Sequence, residues 1–160
     1  DYGGAPVEKG IRQAFRGKIK AMKHLFRRLD RVEVDYGGAD RCFDVIRAVS
    51  FLSRYQDLYK NKKHLLGPNI VANYELGAKL SLADFAWAHG EQTRIFRSFQ
   101  TLYKDYDLVI GPTVGVTPFP WKQLYLDTID GRKLNNYYHW MATKYFVTLT
   151  SNPAVSLPCG

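Results

Sequence analysis

The sequence predicts an α/β fold, in which part of a mixed β-sheet is flanked by helices. Several stretches repeat apolar residues at steps of three and four, the spacing that places side chains on one face of a helix. Short apolar runs such as Leu108–Ile110 follow helical stretches and end at Gly-Pro, as a buried strand ends in a loop. Helix, buried strand and loop in that order are typical of α/β architecture.

The first predicted helix covers Val7–Leu29. Pro6 precedes it, at a position where the missing N–H of proline costs nothing. Val32 and Val34 then alternate with acidic residues, which predicts a short strand that ends at Gly37-Gly38. One face of the helix is basic and the other is apolar, and the apolar residues are Val7, Ile11, Phe15, Ile19, Met22, Phe26 and Leu29.

Three further helices are predicted in the middle of the chain: Asp40–Tyr59, Asn69–Ala78 and Leu82–Tyr103. A polar run and Gly67-Pro68 mark a loop between the first two. The third should begin with a capping pair, because Ser81 stands three residues before Asp84 and can satisfy exposed N–H groups there.

The last part of the chain is predicted to contain more loop. Residues 112–125 carry three prolines and should be ordered but irregular, because proline fixes φ and discourages regular structure. Asp130-Gly131 offers a turn, with a small hairpin as one outcome. Tyr137–Thr148 should form an aromatic-rich helix, and Ala154–Leu157, which lies between two prolines, should form another short buried strand.

The net charge of +8 raises the question of nucleic-acid binding. Most of the excess positive charge lies in residues 1–31, on the outer face of the first helix. No base-stacking motif or helix-turn-helix pattern accompanies it, which argues against nucleic acid as a partner. The alternative is a basic binding module whose helix presents cations to phosphates, namely Arg12, Arg16, Lys20, Lys23 and Arg27.

Nothing in the sequence indicates export, membrane insertion or a metal site. The sequence has no run of roughly 18 apolar residues, and its start lacks the basic and apolar stretches of a signal peptide. Cys42 and Cys159 lie far apart and, like the 4 histidines, share no metal-ligand spacing. We expect a cytoplasmic protein, although a fragment would have lost any upstream targeting peptide.

Two segments resemble a known family. Tyr106–Thr113 reads Tyr-Asp, an apolar run and Pro-Thr, and Pro153–Gly160 reads Pro-Ala-Val-Ser-Leu-Pro-Cys-Gly. In this order, with a proline-rich loop between them and Asp1-Tyr2-Gly3 before a helix, they resemble the C-terminal half of the amidase signature family. The resemblance covers essentially the whole chain, and it implies an incomplete amidase signature fold with residues 1–160 as a single partial domain.

The resemblance also implies what the chain lacks. The family cleaves amides through a serine nucleophile, a second serine in a cis peptide and a lysine, with the serines in a Gly- and Ser-rich loop. No Gly-Gly-Ser-Ser-Gly-like stretch occurs in the 160 residues. We therefore expect the triad to lie upstream, this chain to contain no catalytic residue and to be inactive alone, and both of its ends to be cut. No metal or organic cofactor is implied.

The implied reaction is hydrolysis of a carboxamide to a carboxylate and ammonia or an amine. The partners would be a small-molecule amide and the remainder of the parent amidase chain. A tRNA-dependent amidotransferase subunit, with glutamine as the substrate, stays open within the same class. The aromatic residues before the final motif favour an apolar amide over such a polar one.

Family members draw substrate contacts from the segment before the final motif and from the loop after Pro-Thr. Tyr137, Trp140 and Met141 are therefore expected to line an apolar pocket, with helix-core packing as the alternative. Residues two apart on a helix point about 200° apart, so Tyr138 should pack in the core when Trp140 faces the pocket. We also expect the Trp140 side to face the Pro112–Pro120 loop.

Four polar residues complete the sequence-based expectations. Thr113, from the Pro-Thr pair, is added to the substrate-binding set, and Asn73 either orients a substrate amide or caps a helix. Ser156 lies in an apolar strand without a neighbouring base and is expected to be structural. Ser151 stands where the family usually has glycine, so the turn there is expected to be built differently.

Overall fold

The structure is a computed structural model that describes residues 2–159. The described chain groups into two compact units. The first contains the residues up to Gly37 together with those from Phe96 onward, and the second is Gly38–Ile95. Within the described residues, no helix is both long and apolar enough to cross a membrane.

The second unit is helical. It contains α2 (Ala39–Asn61), α3 (Pro68–Lys79) and the first part of α4 (Leu82–Leu102), which confirms the three predicted helices to within two residues at each end. Helices α2 and α3 pack closely because Gly77 has no side chain: a Cβ there would lie 2.6 Å from the carbonyl oxygen of Ala48. The inner face of α2 is buried and carries Cys42, Val45 and Ala48.

The capping pair at the start of α4 is confirmed. The backbone N–H of Asp84 donates to Ser81 Oγ at 3.1 Å, and the N–H of Ser81 donates to Asp84 Oδ2 at 3.0 Å. The Ser81 hydroxyl also donates to the same carboxylate at 2.7 Å. These bonds satisfy N–H groups that a helix start leaves without a partner, and they lower the pKa of Asp84 from its ordinary value.

The first unit opens with α1 (Lys9–Met22), followed by a 3₁₀ turn, Lys23–Leu25. The apolar face of α1 is as predicted, with Ile11, Phe15 and Ile19 half-buried, but the helix ends earlier than the predicted Leu29. After the 3₁₀ turn Phe26 is extended, with φ −113° and ψ 136°. Further on, Arg28 Nε donates to Asp30 Oδ2 at 2.5 Å, a contact that side chains at i and i+2 do not make on a helix.

The predicted hairpin is present. Strand β1 (Thr128–Ile129) pairs antiparallel with β2 (Arg132–Lys133), and Ile129 stands opposite Arg132. The two turn residues both have positive φ, 47° at Asp130 and 78° at Gly131, as a type I′ turn requires. Asp130 also accepts the backbone N–H of Lys9 at 2.7 Å, so the hairpin turn holds the start of α1.

The three predicted short strands, two of them predicted to be buried, are wrong for the described chain. Residues 32–34, 108–110 and 154–157 form no strand within residues 2–159, and Leu108 is 71% and Val155 79% exposed. An apolar pattern gives a segment the tendency to form a strand, but a strand also requires a neighbour that accepts and donates its ladder bonds. The described structure is therefore helix-rich with one small two-stranded sheet, which is compatible with an α/β protein seen in part.

The last helix also begins later than predicted. A 3₁₀ turn, His139–Met141, leads into α5 (Ala142–Leu149), whereas the sequence predicted a helix from Tyr137. Tyr145, Phe146 and Leu149 on α5 are buried in the first unit, and Phe146 stacks on Tyr36 with 4.7 Å between ring centroids. Residues 112–125 contain no helix or strand, as the prolines predicted.

The turn after α5 keeps the backbone shape that glycine would favour. Ser151 has a φ of 53°, in the left-handed region that glycine favours, and whether the turn differs from that of the family stays a prediction. Hydrogen bonds hold the chain on both sides: Thr150 Oγ1 donates to the carbonyl of Val147 at 2.7 Å, and Gln100 Nε2 donates to Asn152 Oδ1 at 2.8 Å. These bonds favour the turn despite the serine.

Candidate substrate-binding surface

The aromatic residues before the final motif divide between core and surface. Tyr138 is fully buried, whereas Tyr137, Trp140 and Met141 are half-buried. The expected separation of Tyr138 from Trp140 is therefore present: Tyr138 directly precedes the 3₁₀ turn, Trp140 lies two residues further on within it, and residues two apart point in different directions. Tyr137 and Trp140 keep part of their rings accessible, as a surface that contacts a ligand must.

Trp140 faces the proline-rich loop. Its indole meets the ring of Phe119 edge to face, with 5.4 Å between centroids and 87° between ring planes. The backbone is close as well, because a Cβ on Gly115 would lie 3.5 Å from the carbonyl oxygen of Trp140 and 2.6 Å from that of Pro6. The expectation that Trp140 lies on the side of the Pro112–Pro120 loop is confirmed.

Tyr137 contacts a second point of the same loop. Its ring lies 5.9 Å from that of Tyr125, in a tilted arrangement. Two pairs of rings thus join the segment before α5 to the proline-rich loop. We call Phe119, Tyr125, Tyr137 and Trp140 the aromatic wall. Aromatic faces and edges of this kind suit an apolar acyl or aryl group.

Lys144 lies at the edge of the aromatic wall. Its ammonium group is 5.4 Å from the ring centroid of Trp140, one helical turn further along the chain, and the side chain is exposed. At this distance the cation is attracted by the electron-rich face of the indole. Sequence reasoning missed Lys144, although its spacing of four from Trp140 was a usable signal.

Thr113 lies between α5 and the segment that follows it. Its carbonyl oxygen accepts a hydrogen bond from the hydroxyl of buried Thr143 at 3.0 Å, which fixes the Pro-Thr segment on α5. Its own hydroxyl is the acceptor for Ser156 Oγ at 3.4 Å. Thr113 and Ser156 are both exposed, so two hydroxyl groups stand side by side at this surface.

Asn73 belongs to the second unit. It is buried in α3, and its side-chain amide donates to the carbonyl oxygen of Asn69 at 2.6 Å. A bond to the carbonyl four residues earlier engages the amide within its own helix. The expectation that Asn73 caps a helix is wrong, because the N-cap of α3 is Gly67 and Asn73 lies inside the helix, and its role toward a substrate stays a prediction.

Among residues 2–159, no group of three His, Cys, Asp or Glu side chains converges as a metal site would require. The hydroxyl of Ser156 meets another hydroxyl, which does not accept a proton as a base does. Apolar rings with a few polar groups beside them can hold and orient a small molecule.

Comparison with known proteins identifies the family. The model of the Amidase family matches residues 7–160. A glutamyl-tRNA(Gln) amidotransferase subunit from Listeria innocua serovar 6a is 25% identical over 185 residues, which covers 100% of this chain and 37% of that protein. An acylamidase of Rhodococcus erythropolis is 24% identical over 112 residues, 69% of this chain and 23% of that protein.

A solved structure agrees with the sequence relatives. The fold is similar to that of a bacterial aryl acylamidase belonging to the amidase signature enzymes, with a TM-score of 0.80, 16% identity, and coverage of 94% of this chain and 34% of that chain. The chain therefore belongs to the amidase signature family. It spans about a third or less of the length of these relatives.

Proposed function

We propose that this chain is part of an amidase that hydrolyses a carboxamide to a carboxylate and ammonia or an amine. The reaction passes through an acyl-serine, and the serines and lysine that carry it come from parts of the protein outside residues 1–160. Family membership supports amide hydrolysis. The absence of a Gly-Gly-Ser-Ser-Gly stretch in these residues supports a location of the catalytic serines and lysine outside them. We also propose that the protein is cytoplasmic.

The contribution of this chain is the aromatic wall, with Met141 beside it. The contact between Trp140 and Phe119 carries this proposal, because it sets an accessible indole against the loop that follows the Pro-Thr segment. The rings bind the acyl or aryl part of an apolar amide, and Thr113 offers a hydroxyl at the neighbouring surface. Asn73 is left out, since its amide bonds within its own helix.

The test is a substrate panel on the complete protein that contains this chain. Acetamide, benzamide, acetanilide and glutamine differ in the apolar surface next to the amide. We expect kcat/KM to be higher for the two aromatic amides, because the wall adds binding energy only for them. Equal kcat/KM for acetamide and the aromatic amides would exclude the wall as a binding surface.

The second candidate within this class is a tRNA-dependent amidotransferase subunit. The Listeria relative, whose match covers the whole chain, supports it. Glutamine turnover well above that of every apolar amide in the same panel would favour this candidate. The apolar character of the wall favours the first proposal, because a polar side chain gains little from aromatic surface.

A basic binding module is the candidate from a different class. Arg16, Lys20, Lys23 and Arg27 are exposed along α1 and the segment after it, as that candidate requires. RNA binding that weakens steeply with salt and is lost when these four residues become glutamine would support it. Exposed cations are also common on surfaces that bind nothing, so unchanged turnover in the same variant is the outcome we expect.

A further inference from the structure

Glu8, the residue before α1, bonds to the beginning of the proline-rich loop at two points. Its backbone N–H donates to the carbonyl oxygen of Gly115 at 2.8 Å, and the backbone N–H of Thr117 donates to Glu8 Oε2 at 2.9 Å. Val116, which lies between the two bonded residues, is buried. A single residue at the start of α1 therefore holds the loop through both its backbone and its side chain.

The carboxylate of Glu8 is not used to cap its own helix. Glu8 is the N-cap residue of α1, yet within the described chain its side chain makes no capping hydrogen bond. Asp130, in the hairpin turn, takes this role, because its Oδ2 accepts the Lys9 N–H at 2.7 Å and a hydrogen bond from Arg12 Nη2 at 3.3 Å. The start of α1 therefore bonds both to the beginning of the proline-rich loop and to the hairpin that follows the loop.

The segment between these two bonded points carries half of the aromatic wall, namely Phe119 and Tyr125. Within the described chain, the hydrogen bonds of residues 118–126 join these residues only to one another. The segment meets the residues before α5 through its two rings, which contact Trp140 and Tyr137. The position of these rings therefore depends on how the ends of the segment are held.

Little conformational freedom separates the Glu8 bond from the ring of Phe119. Only Pro118 stands between Thr117 and Phe119, and a second proline follows. Proline fixes its φ at about −65°, so few rotatable bonds remain between the bonded N–H and the ring. Loss of the bond to Glu8 should therefore let Phe119 move away from Trp140.

We propose that Glu8 is a positioning residue that sets the preference of the amidase for large apolar amides. Glu8 holds the backbone of Thr117, and this places Phe119 against the indole that the substrate contacts. Glu8 acts through the loop and not on the reacting bond, so it affects the binding of large amides more than the chemical step. The inference rests on the proposed function, because it takes the aromatic wall as the substrate-binding surface.

The test compares three substitutions of Glu8 in the complete protein that contains this chain. Glu8→Gln keeps the length of the side chain and one acceptor oxygen for the Thr117 N–H, so KM for acetanilide should stay within about twofold. Glu8→Ala removes the acceptor, and Glu8→Asp draws it back by one methylene group. Both should raise KM for acetanilide by about fivefold while kcat, and KM for acetamide, change little.

Glu8→Asp separates positioning from stability. Aspartate is among the preferred N-cap residues, so this variant should keep or raise the melting temperature of the protein. A role in stability alone predicts an unchanged KM in Glu8→Asp, whereas positioning predicts a raised KM for acetanilide. Glu33→Ala is the matched control, because Glu33 is an exposed acid of the same unit and should change neither KM.

A spectroscopic readout makes the test independent of turnover. In complete protein labelled with 5-fluorotryptophan, Trp140→Phe identifies the fluorine signal of Trp140. Phe119→Ala then gives the position of this signal without the neighbouring ring, because an aromatic ring shifts the signals of nuclei close to it. We expect Glu8→Ala and Glu8→Asp to move the Trp140 signal toward that position, and Glu8→Gln to leave it in place.

Three outcomes would overturn the proposal: an unmoved Trp140 signal in Glu8→Asp, equal changes in KM for acetanilide and acetamide, or a Glu8→Gln variant that behaves like Glu8→Ala. A complete protein that hydrolyses none of the amides would instead contradict the proposed function. The fluorine signals would then still decide whether Glu8 places Phe119 against Trp140.

Discussion

The ring of Phe119 meets the indole of Trp140 edge to face, with 5.4 Å between centroids. The two residues are separated by a loop, a hairpin and a turn in sequence, yet their contact fixes the proline-rich loop against the start of α5. Edge-to-face pairs contribute about 0.5–1.5 kcal/mol beyond their buried area, which favours this position of the loop. The accessible part of Trp140 is therefore presented on a defined surface.

The first prediction concerns Trp140→Ala in the complete enzyme. Loss of an apolar contact to substrate should raise KM for benzamide or acetanilide by about tenfold, which is about 1.4 kcal/mol, while KM for acetamide changes little. Steady-state kinetics on the two amide sizes measures this. Trp121→Ala is the matched control, because Trp121 is 86% exposed on the same loop and should change neither KM.

Equal effects of Trp140→Ala on large and small amides, together with a lower melting temperature, would identify Trp140 as core. Tyr138→Ala gives the reference for that outcome. Tyr138 is fully buried, so its truncation should lower the free energy of unfolding by about 3–5 kcal/mol, as for other large aromatic residues.

The second prediction concerns the cap of α4. Ser81→Ala removes the acceptor for the Asp84 N–H and should lower the free energy of unfolding by about 1 kcal/mol near neutral pH. Urea denaturation measures this, with Ser53→Ala as the control, because Ser53 is exposed in the middle of α2 and alanine is the better helix former there.

The same cap has a pH dependence. The hydrogen bonds from Ser81 lower the pKa of Asp84 from 3.8. Their contribution to the free energy of unfolding is therefore present above that pH and is lost as the pH falls below it. The difference between Ser81→Ala and the unchanged protein should shrink in acid. A difference that stays constant down to complete protonation of the carboxylates would contradict the role given to Asp84.

The third prediction concerns the two thiols. Cys42 is buried and donates to the carbonyl of Ala88 at 3.2 Å, and burial raises the pKa of Cys42 to about 11. At pH 8 only about one Cys42 in a thousand is a thiolate, so a thiol reagent should label exposed Cys159 and leave Cys42 unmodified until the protein unfolds. Mass spectrometry of the labelled peptides distinguishes the two.

The raised pKa of Cys42 also predicts a loss of stability in alkali. The thiol ordinarily ionises near pH 9.0. Its contribution to the free energy of unfolding is therefore complete below that pH and is lost as the pH rises toward about 11. Burial raises the pKa of Tyr36 too, and Cys42→Ala separates the two groups. The alkaline decline in the free energy of unfolding should be shallower in this variant. An identical decline would assign the effect to the tyrosines whose pKa values are raised, Tyr2, Tyr36 and Tyr106.

Local patterns predicted local structure well. The Asp130-Gly131 turn, the Ser81–Asp84 cap and the α2, α3 and α4 helices depend on neighbours a few residues away, and all are present. The predicted end of α1 was wrong, and residues 28 and 30 of the predicted helix instead bond to Tyr106, which lies far along the chain. The strands were wrong because their pairing also depends on distant backbone.

In the candidate site, too, the sequence predicted what depends on near neighbours and missed the contacts between distant residues. Spacing separated Tyr138 from Trp140, since that depends only on the local turn. Phe119 and Tyr125 were not identified as partners of Trp140 and Tyr137, because no local pattern encodes a contact between a loop and a later helix. At Ser151 the residue type alone disfavours a left-handed backbone, yet hydrogen bonds to other parts of the chain hold one there.

The fourth prediction is that residues 1–160 alone do not hydrolyse amides. A serine becomes a nucleophile when an adjacent base takes its proton, and the partner of Ser156 is the hydroxyl of Thr113 at 3.4 Å. Within the described residues, Ser156 therefore lacks the arrangement that would activate it. Purified chain should release no aniline from acetanilide above the rate in buffer.

Ser156→Ala and Thr113→Val test the same point in the complete enzyme. Each removes one partner of an exposed hydroxyl pair, so we expect kcat to stay within about twofold, since exposed hydrogen bonds of this kind contribute little. Thr113→Val can raise KM, because Thr113 stands at the proposed binding surface. A drop in kcat of several orders of magnitude with Ser156→Ala, or turnover by the isolated chain, would show that the nucleophile lies in this segment after all.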